Sequence, residues 1–258
     1  MQIPIEHLLL LCLGFFAVAT LYSSVGFGGG SSYLALLSIV FISFFAIRSV
    51  ALVCNLVVVS GSTYLYFKNG HARIADFVPF VFTSIPLTFL GASITLQENV
   101  FFIILGVSLL LSSVFLAGQT IRNFRHRKET KAYPKYLSYV LGAAIGFLSG
   151  LVGIGGGIFL APILNHLRWD KAIKIAALAS FFILVNSISG LIGLMRSNTL
   201  ELPWIETGCL VVAVFIGGQI GIRMSLQRLS ANGIKRVTAV LIFVVGVRVL
   251  LVNGLGVL

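Results

Sequence analysis

Val25-Gly26-Phe27-Gly28-Gly29-Gly30 returns 127 residues later as Val152-Gly153-Ile154-Gly155-Gly156-Gly157, and the flanking sequence keeps the register. Ala46-Ile47-Arg48 answers to Ala172-Ile173-Lys174, Ser60-Gly61 to Ser189-Gly190, and Phe89-Leu90-Gly91 to Phe215-Ile216-Gly217. Four landmarks in one order at nearly constant spacing mark an internal duplication. Residues 1–118 form the first repeat, 119–136 a basic cytoplasmic linker and 137–258 the second repeat.

Around the glycine loops the chain is apolar almost throughout. Of its 258 residues 58% are hydrophobic and only 10% charged, with a mean hydropathy of +1.07, which no soluble domain with a hydrated surface sustains. The solvent is a membrane. Five apolar segments are expected in each half: 5–24, 31–44, 49–67, 77–95 and 100–116, then 137–151, 158–167, 175–195, 204–222 and 237–252. About 20 helical residues cross the hydrocarbon layer, so the short second segment of each half reads as a re-entrant or broken helix. The stretch 7–19, with Ala17-Val18-Ala19 as a candidate cleavage triplet, resembles a signal peptide. It lacks a preceding Lys or Arg and recurs in mid-chain, so it is read as part of the fold.

Charge sets the expected topology. If each glycine loop reverses the chain, fifteen basic residues, among them Lys68, Arg73, Arg122, Arg125, Arg168, Lys174, Arg223 and Lys235, fall on one side, and Arg48 and Arg196 on the other. If the loop only interrupts one crossing, the split is nine to eight. The positive-inside rule favours reversal, with both termini outside the cytoplasm. Odd parity turns the second half upside down relative to the first. The fold class is therefore all-α, a polytopic integral membrane protein of the cell (inner) membrane built from two inverted five-segment repeats, the plan of secondary transporters. The net charge of +11 is this loop bias and not a nucleic-acid surface.

Consecutive glycines each weaken a helix by about 1 kcal/mol relative to Ala, so their presence at membrane depth needs a reason. They let the backbone turn sharply and approach a ligand, and a helix starting just after them offers unpaired N–H groups to an anion. Gly28, Gly29, Gly30, Ser31, Ser32 and Ser24 in the first half, and Gly155, Gly156 and Gly157 in the second, are the candidate substrate-binding residues. Close helix packing is the other reading of the same glycines. Asn55 and Asn186 lie within apolar segments and either bind substrate or tie helices together; Gln219 carries the same pair of readings. Arg248 is the basic residue read as lying inside a span, near its outer end, where it either snorkels or joins the candidate substrate-binding residues as an anion contact, while Arg48 is placed outside the membrane.

Several classes are excluded or disfavoured. A third Gly is missing from position 31 and no Gly-Lys-Ser/Thr follows, so neither loop is a nucleotide motif. Cys12, Cys54 and Cys209 are scattered, no metal cluster or Ser-His-Asp set occurs, and His7, His71, His126 and His166 lie in or beside loops. An enzyme is not expected, nor a cofactor or metal. No acidic residue is placed mid-membrane, so the site should prefer anions to cations.

The paired Gly-x-Gly-Gly-Gly loops, with Pro162 in Gly157-Ile158-Phe159-Leu160-Ala161-Pro162, resemble the sulfite exporter TauE/SafE family over residues 10–252. Where the family commonly has Pro after the first loop, this chain has Ser31-Ser32-Tyr33-Leu34-Ala35; Arg48-Ser49-Val50 and Lys174-Ile175-Ala176 replace its usual Gly-Thr-Ser patch. The resemblance implies a transporter of sulfite or a small organosulfur anion such as a sulfonate; the inverted symmetry adds alternating access, and an anion leaving a negative interior needs no coupled ion, so export driven at least partly by the membrane potential is expected. A passive anion channel and an importer of a sulfur-containing anion are the alternatives. The expected partners are the small anion and the lipid bilayer, with a homodimer allowed and nucleic acid excluded.

Overall fold

The apolar segments become ten α-helices among the described residues, which are 4–24, 26–40, 43–121, 131, 133–226 and 231–256 of a computed structural model. The first five are α1 (Ile5–Ser24), α2 (Gly30–Val40), α3 (Phe44–Lys68), α4 (Ile74–Ser93) and α5 (Glu98–Ile121). The last five are α6 (Lys135–Val152), α7 (Gly157–Leu167), α8 (Ala172–Arg196), α9 (Trp204–Leu226) and α10 (Ala231–Arg248), which runs on into a π-helical turn, Val249–Gly254. No strand occurs among the described residues. Seven helices, α1, α3, α4, α5, α6, α8 and α9, are long and apolar enough to cross a membrane. At 1.5 Å per residue, the 11 residues of α2 and of α7 reach only about 16 Å, roughly half the hydrocarbon thickness.

Polarity is arranged as a bilayer demands. Leu9, Leu10, Phe82, Val114, Val140, Trp204 and Val240 are exposed, whereas serines, Asn55, Asn186 and Arg48 are buried. An apolar exterior around a polar-flecked interior suits hydrocarbon as the surrounding medium.

Exchanging the first five helices with the last five maps the packing onto itself. The α4–α6 contact has its mate in α9–α1, α4–α8 in α9–α3, α2–α3 in α7–α8, and α5–α7 in α10–α2, while α3–α8 and α5–α10 are their own mates. Small residues make the closest of these contacts. Gly142, Gly146 and Gly150 of α6 lie in turn against Phe80, Ser84 and Thr88 of α4, so the two helices run parallel. Thr83 and Thr88 add hydroxyl bonds to the Tyr139 and Gly146 carbonyls, both 2.8 Å. In the same way Gly217 and Gly221 of α9 meet Phe16 and Thr20 of α1. Without a hydrophobic driving force between helices in lipid, such backbone contact is a main source of cohesion. A Cβ on Gly146 would sit 2.6 Å from Ser84 Cα, so Gly146→Ala is expected to cost about 1–3 kcal/mol, at ~2–4 °C of thermal midpoint per kcal/mol. Gly208→Ala meets nothing within 4 Å and should leave the midpoint unchanged or slightly raised. Thermal unfolding of the two purified variants checks the contrast.

The expected segments recur with shifted edges. The second is described as far as Val40, residues 41–42 lying outside the described ones, and the third starts at Phe44, before the expected 49, because Ser43 Oγ accepts from the Ala46 N–H at 3.3 Å and caps α3. This corrects the placement of Arg48, which lies one turn inside α3 and is 1% exposed. Arg248, read as lying inside a span near its outer end, is exposed where α10 passes into the π-helical turn. The linker read as 119–136 is entered by α5, which runs to Ile121, and by α6, which starts at Lys135. Its residues 122–130 and 132, Val25, and both chain ends (1–3 and 257–258), whose sidedness was expected to be outside, lie outside the described residues.

Candidate functional site

Each glycine loop is a chain break built from positive φ angles. Gly26 and Gly29 have φ of 83° and 93°; Gly153, Gly155 and Gly156 have 76°, 81° and 83°. In this region a Cβ is strained, which is why glycine stands there. The loops close the preceding helices, with Phe27 N–H bonded to Tyr22 O at 2.8 Å and Gly153 N–H to Ser149 O at 2.7 Å. They then open α2 and α7, where the Ser32 and Tyr33 N–H groups bond Gly29 O, both at 3.0 Å, and the Phe159 and Leu160 N–H groups bond Gly156 O, both at 3.1 Å; the N–H groups ahead of these point out of the helix end.

Tertiary packing brings the two loops against each other in the buried interior, around Asn55 in the middle of α3. Asn55 Nδ2 donates to Ile154 O of the second loop at 3.0 Å. A Cβ on Gly28 would lie 2.5 Å from Asn55 Oδ1, and one on Gly30 2.9 Å from Ile154 O. Gly155 comes to the same place from the other half, against Ile183, Ser187 and Asn55. Each loop also presses on the long helix of the opposite half: Ser180 Oγ of α8 donates to Gly26 O at 3.2 Å, and Gly153 lies beside Arg48 of α3.

The polar atoms around this junction are incompletely satisfied. Ser31 Oγ, Tyr33 Oη, Asn55 Oδ1, Ser149 Oγ, Ser187 Oγ and Arg48 Nε and Nη1 are buried without a hydrogen-bond partner. Orphans of this kind are rare in packed interiors and point to a partner of another kind. Acidic side chains are absent from these contacts: among the described residues Glu6, Glu98 and Glu201 are exposed, Asp76 and Asp170 pair with Lys174 at 2.6 and 2.8 Å, and Glu206 stands in the first turn of α9.

Of the residues proposed from the sequence, Gly28, Gly29, Gly30, Ser31, Asn55, Gly155, Gly156 and Gly157 are gathered here. Ser32 is engaged with Tyr22 Oη at 2.7 Å, beneath the stacked pair Phe15–Tyr33 with centroids 4.5 Å apart. Ser24 turns back onto Leu21 O of its own helix at 2.6 Å, whereas Ser23 bonds Ser62 Oγ and Gly218 O, both at 2.9 Å, and ties α1 to α3 and α9. Asn186 Oδ1 accepts from Ser84 Oγ at 2.9 Å and ties α8 to α4. Gln219 lies against Gly61. Arg248, exposed on α10, is not part of the buried cluster. Ser180, Ser187, Tyr33 and Arg48 escaped the sequence reading. A signal existed: α3 and α8 have the same 25-residue length, and aligning them end to end sets Asn55 opposite Ile183 and Val59 opposite Ser187, the four residues that flank Gly28 and Gly155.

A family profile described as "Sulfite exporter TauE/SafE" matches residues 10–249. "Probable membrane transporter protein y4hK" of Sinorhizobium fredii is 34% identical over 244 residues, covering 93% of this chain and 97% of that protein. "Probable membrane transporter protein YunE" of Bacillus subtilis is 25% identical, covering 92% and 96%. "Probable membrane transporter protein MJ0441" of Methanocaldococcus jannaschii is 26% identical over 57% of this chain. No solved structure matches the chain at a significant level.

Proposed function

The chain belongs to the sulfite exporter TauE/SafE family and is a multi-pass membrane transporter, and from that premise we propose that it exports sulfite or a small sulfonate by alternating access. The observation that carries this reading is the junction of the two glycine loops: two helix N-termini and several unsatisfied donors converge in a buried volume without a carboxylate. Helix N-termini favour anions through their free N–H groups and the macrodipole. An anion leaving a negative cell interior gains about 2.3 kcal/mol per charge per 100 mV, so the membrane potential supplies at least part of the driving force.

Alternating access rests on the relation of the halves. α1 runs parallel to α9, and α4 parallel to both α6 and α8, with Ile85 beside Ser189 and Phe89 beside Gly193. Because α8 and α9 are successive spans joined by the turn 197–203, α1 and α6 point in opposite directions. That supports inverted repeats 1–118 and 137–258, with α2 and α7 as re-entrant half-helices entering from opposite faces. In this arrangement Gly153 and Arg48 lie toward the outer side, and Gly26 and Ala176 toward the inner.

The test is flux from liposomes containing the purified protein. Saturable sulfite or methanesulfonate efflux that accelerates with an imposed potential, together with counterflow, is expected. Absence of flux for both anions would overturn the reading, and non-saturating flux without counterflow would make the protein a channel.

A further inference from the structure

Arg48 is a buried charge for which the described residues hold no counter-ion. Its side chain reaches neither lipid nor water, at 1% exposure. One nitrogen, Nη2, donates to Gly150 O in the last turn of α6 at 3.1 Å, while Nε and Nη1 have no partner. The rings of Phe44 and Phe101 stand 5.6 and 5.7 Å from the guanidinium carbon. Among the described residues no carboxylate is within ion-pair reach of it: both ion pairs are made by Lys174, and Glu201 at the same end of α3 accepts instead from Ser43 Oγ.

A guanidinium keeps its charge under all ordinary conditions, and a buried ion that lacks a partner is strongly disfavoured. The single carbonyl of Gly150 and two aromatic faces relieve only part of this. The missing partner is placed by the packing. The stem of Arg48 lies on Gly153, the first glycine of the second loop, where a Cβ would be in ordinary contact at 3.7 Å. At the equivalent position of the other half Gly26 meets Ala176, so tightly that a Cβ would come within 2.5 Å. The two loops share positive φ at Gly26 and Gly153 and at Gly29 and Gly156 but differ in contact: Gly26 is sealed by the Ala176 methyl, whereas Gly153 carries the stem of Arg48, whose guanidinium bonds Gly150 O three residues back.

We propose that Arg48 is a substrate-binding residue that takes a negatively charged oxygen of a small oxyanion, sulfite or a sulfonate, beside the Gly153 loop. Several acceptor oxygens on one centre suit the fork of donors that a guanidinium presents. The charge also selects against neutral and cationic solutes of the same size. This rests on the anion-export reading, and it adds an electrostatic anchor at one loop only.

The test uses the full-length protein, wild type and Arg48→Gln and Arg48→Lys. Gln keeps a donor for Gly150 O and removes the charge; Lys keeps the charge and loses the fork. Thermal midpoints are measured in detergent with sulfite or methanesulfonate against chloride at equal ionic strength, and KM and maximal rate are measured in liposomes. Arg48→Gln is expected to unfold at the wild-type midpoint without anion, to lose stabilisation by either anion, and to raise KM at least tenfold; Arg48→Lys should raise KM less. If Arg48→Gln does not fold, Arg48→Lys decides: a KM raised threefold or more supports the assignment, an unchanged one overturns it. A lowered midpoint with unchanged KM would make Arg48 a cap of α6 and overturn it as well. Wild type that transports sulfite while Arg48→Gln does so with unchanged KM removes only the role of Arg48, whereas wild type that neither transports nor responds to either anion removes the export reading itself.

Discussion

Gly30→Ala is expected to lower anion flux by about 10- to 100-fold while the protein still inserts and purifies as wild type. Gly30 is the first residue of α2 and has no positive φ, so alanine suits its backbone and the effect is steric alone. The added methyl falls onto Asn55 Nδ2 and 2.9 Å from Ile154 O. Asn55 is held by its own bond to that same carbonyl, and the carbonyl is backbone, so neither yields cheaply. Overpacking of this kind costs about 1–3 kcal/mol, which at 1.4 kcal/mol per decade shifts a closed-to-open equilibrium by roughly one to two decades. The expected result is a wedge between the two loops that disfavours their closed junction. Gly28→Leu, which intrudes on Asn55, should abolish transport by the same route, and Gly156→Leu by a different one, since it adds a side chain at φ 83° and intrudes on Phe182 within its own half. Flux in liposomes, normalised to inserted protein, is the measurement; wild-type flux in Gly30→Ala would show that the loops need not approach each other to transport.

Asn55→Asp should be more severe than Asn55→Leu, and the difference between them is informative. Leucine removes the donor that satisfies Ile154 O and leaves a buried carbonyl unpaired, at about 1–3 kcal/mol, or roughly a 5- to 150-fold loss. Ionised aspartate does the same and also sets a negative charge against the Ile154 carbonyl, in a volume read as accommodating an anion. Transport by Asn55→Asp is therefore expected to fall below that of Asn55→Leu by at least about tenfold, in line with the several kcal/mol attached to like charges brought together in a buried site. Equal activity of the two variants would mean that substrate charge is not sensed near Asn55, and would move the binding site away from the loop junction.

The small-residue contacts and the polar interior follow one logic. In lipid, helices gain nothing by hiding apolar surface from each other, so cohesion comes from backbone proximity at Gly146, Gly150, Gly217 and Gly221 and from hydroxyl bonds such as Thr88 to Gly146 O. That same interior has to stay incomplete at one place if a solute is to be held there. Of the unsatisfied polar side chains, Asn55, Ser187, Ser149 and Tyr33 lie against the loop glycines, while Thr63, Ser112 and Thr207 stand elsewhere on α3, α5 and α9.

What the sequence by itself determined is the membrane solvent and the helix inventory. These follow from local physics: apolar runs set spans, and glycines at 26, 28–30, 153 and 155–157 break helices wherever they occur. Asn55 was legible too, because a lone amide in an apolar helix must find a partner. Only the tertiary structure decided which partner. The bond from Asn55 to Ile154 joins residues 99 positions apart, and no local pattern encodes which opposing surface an amide meets. Arg48 was misplaced for a related reason. Hydropathy treats a charge near a helix end as exposed, whereas the bond to Gly150 O and the rings of Phe44 and Phe101 enclose it beside Gly153. The doubled loop is written in the chain; that its two copies face each other, one beside a cation and the other beside a methyl group, is a property of the fold.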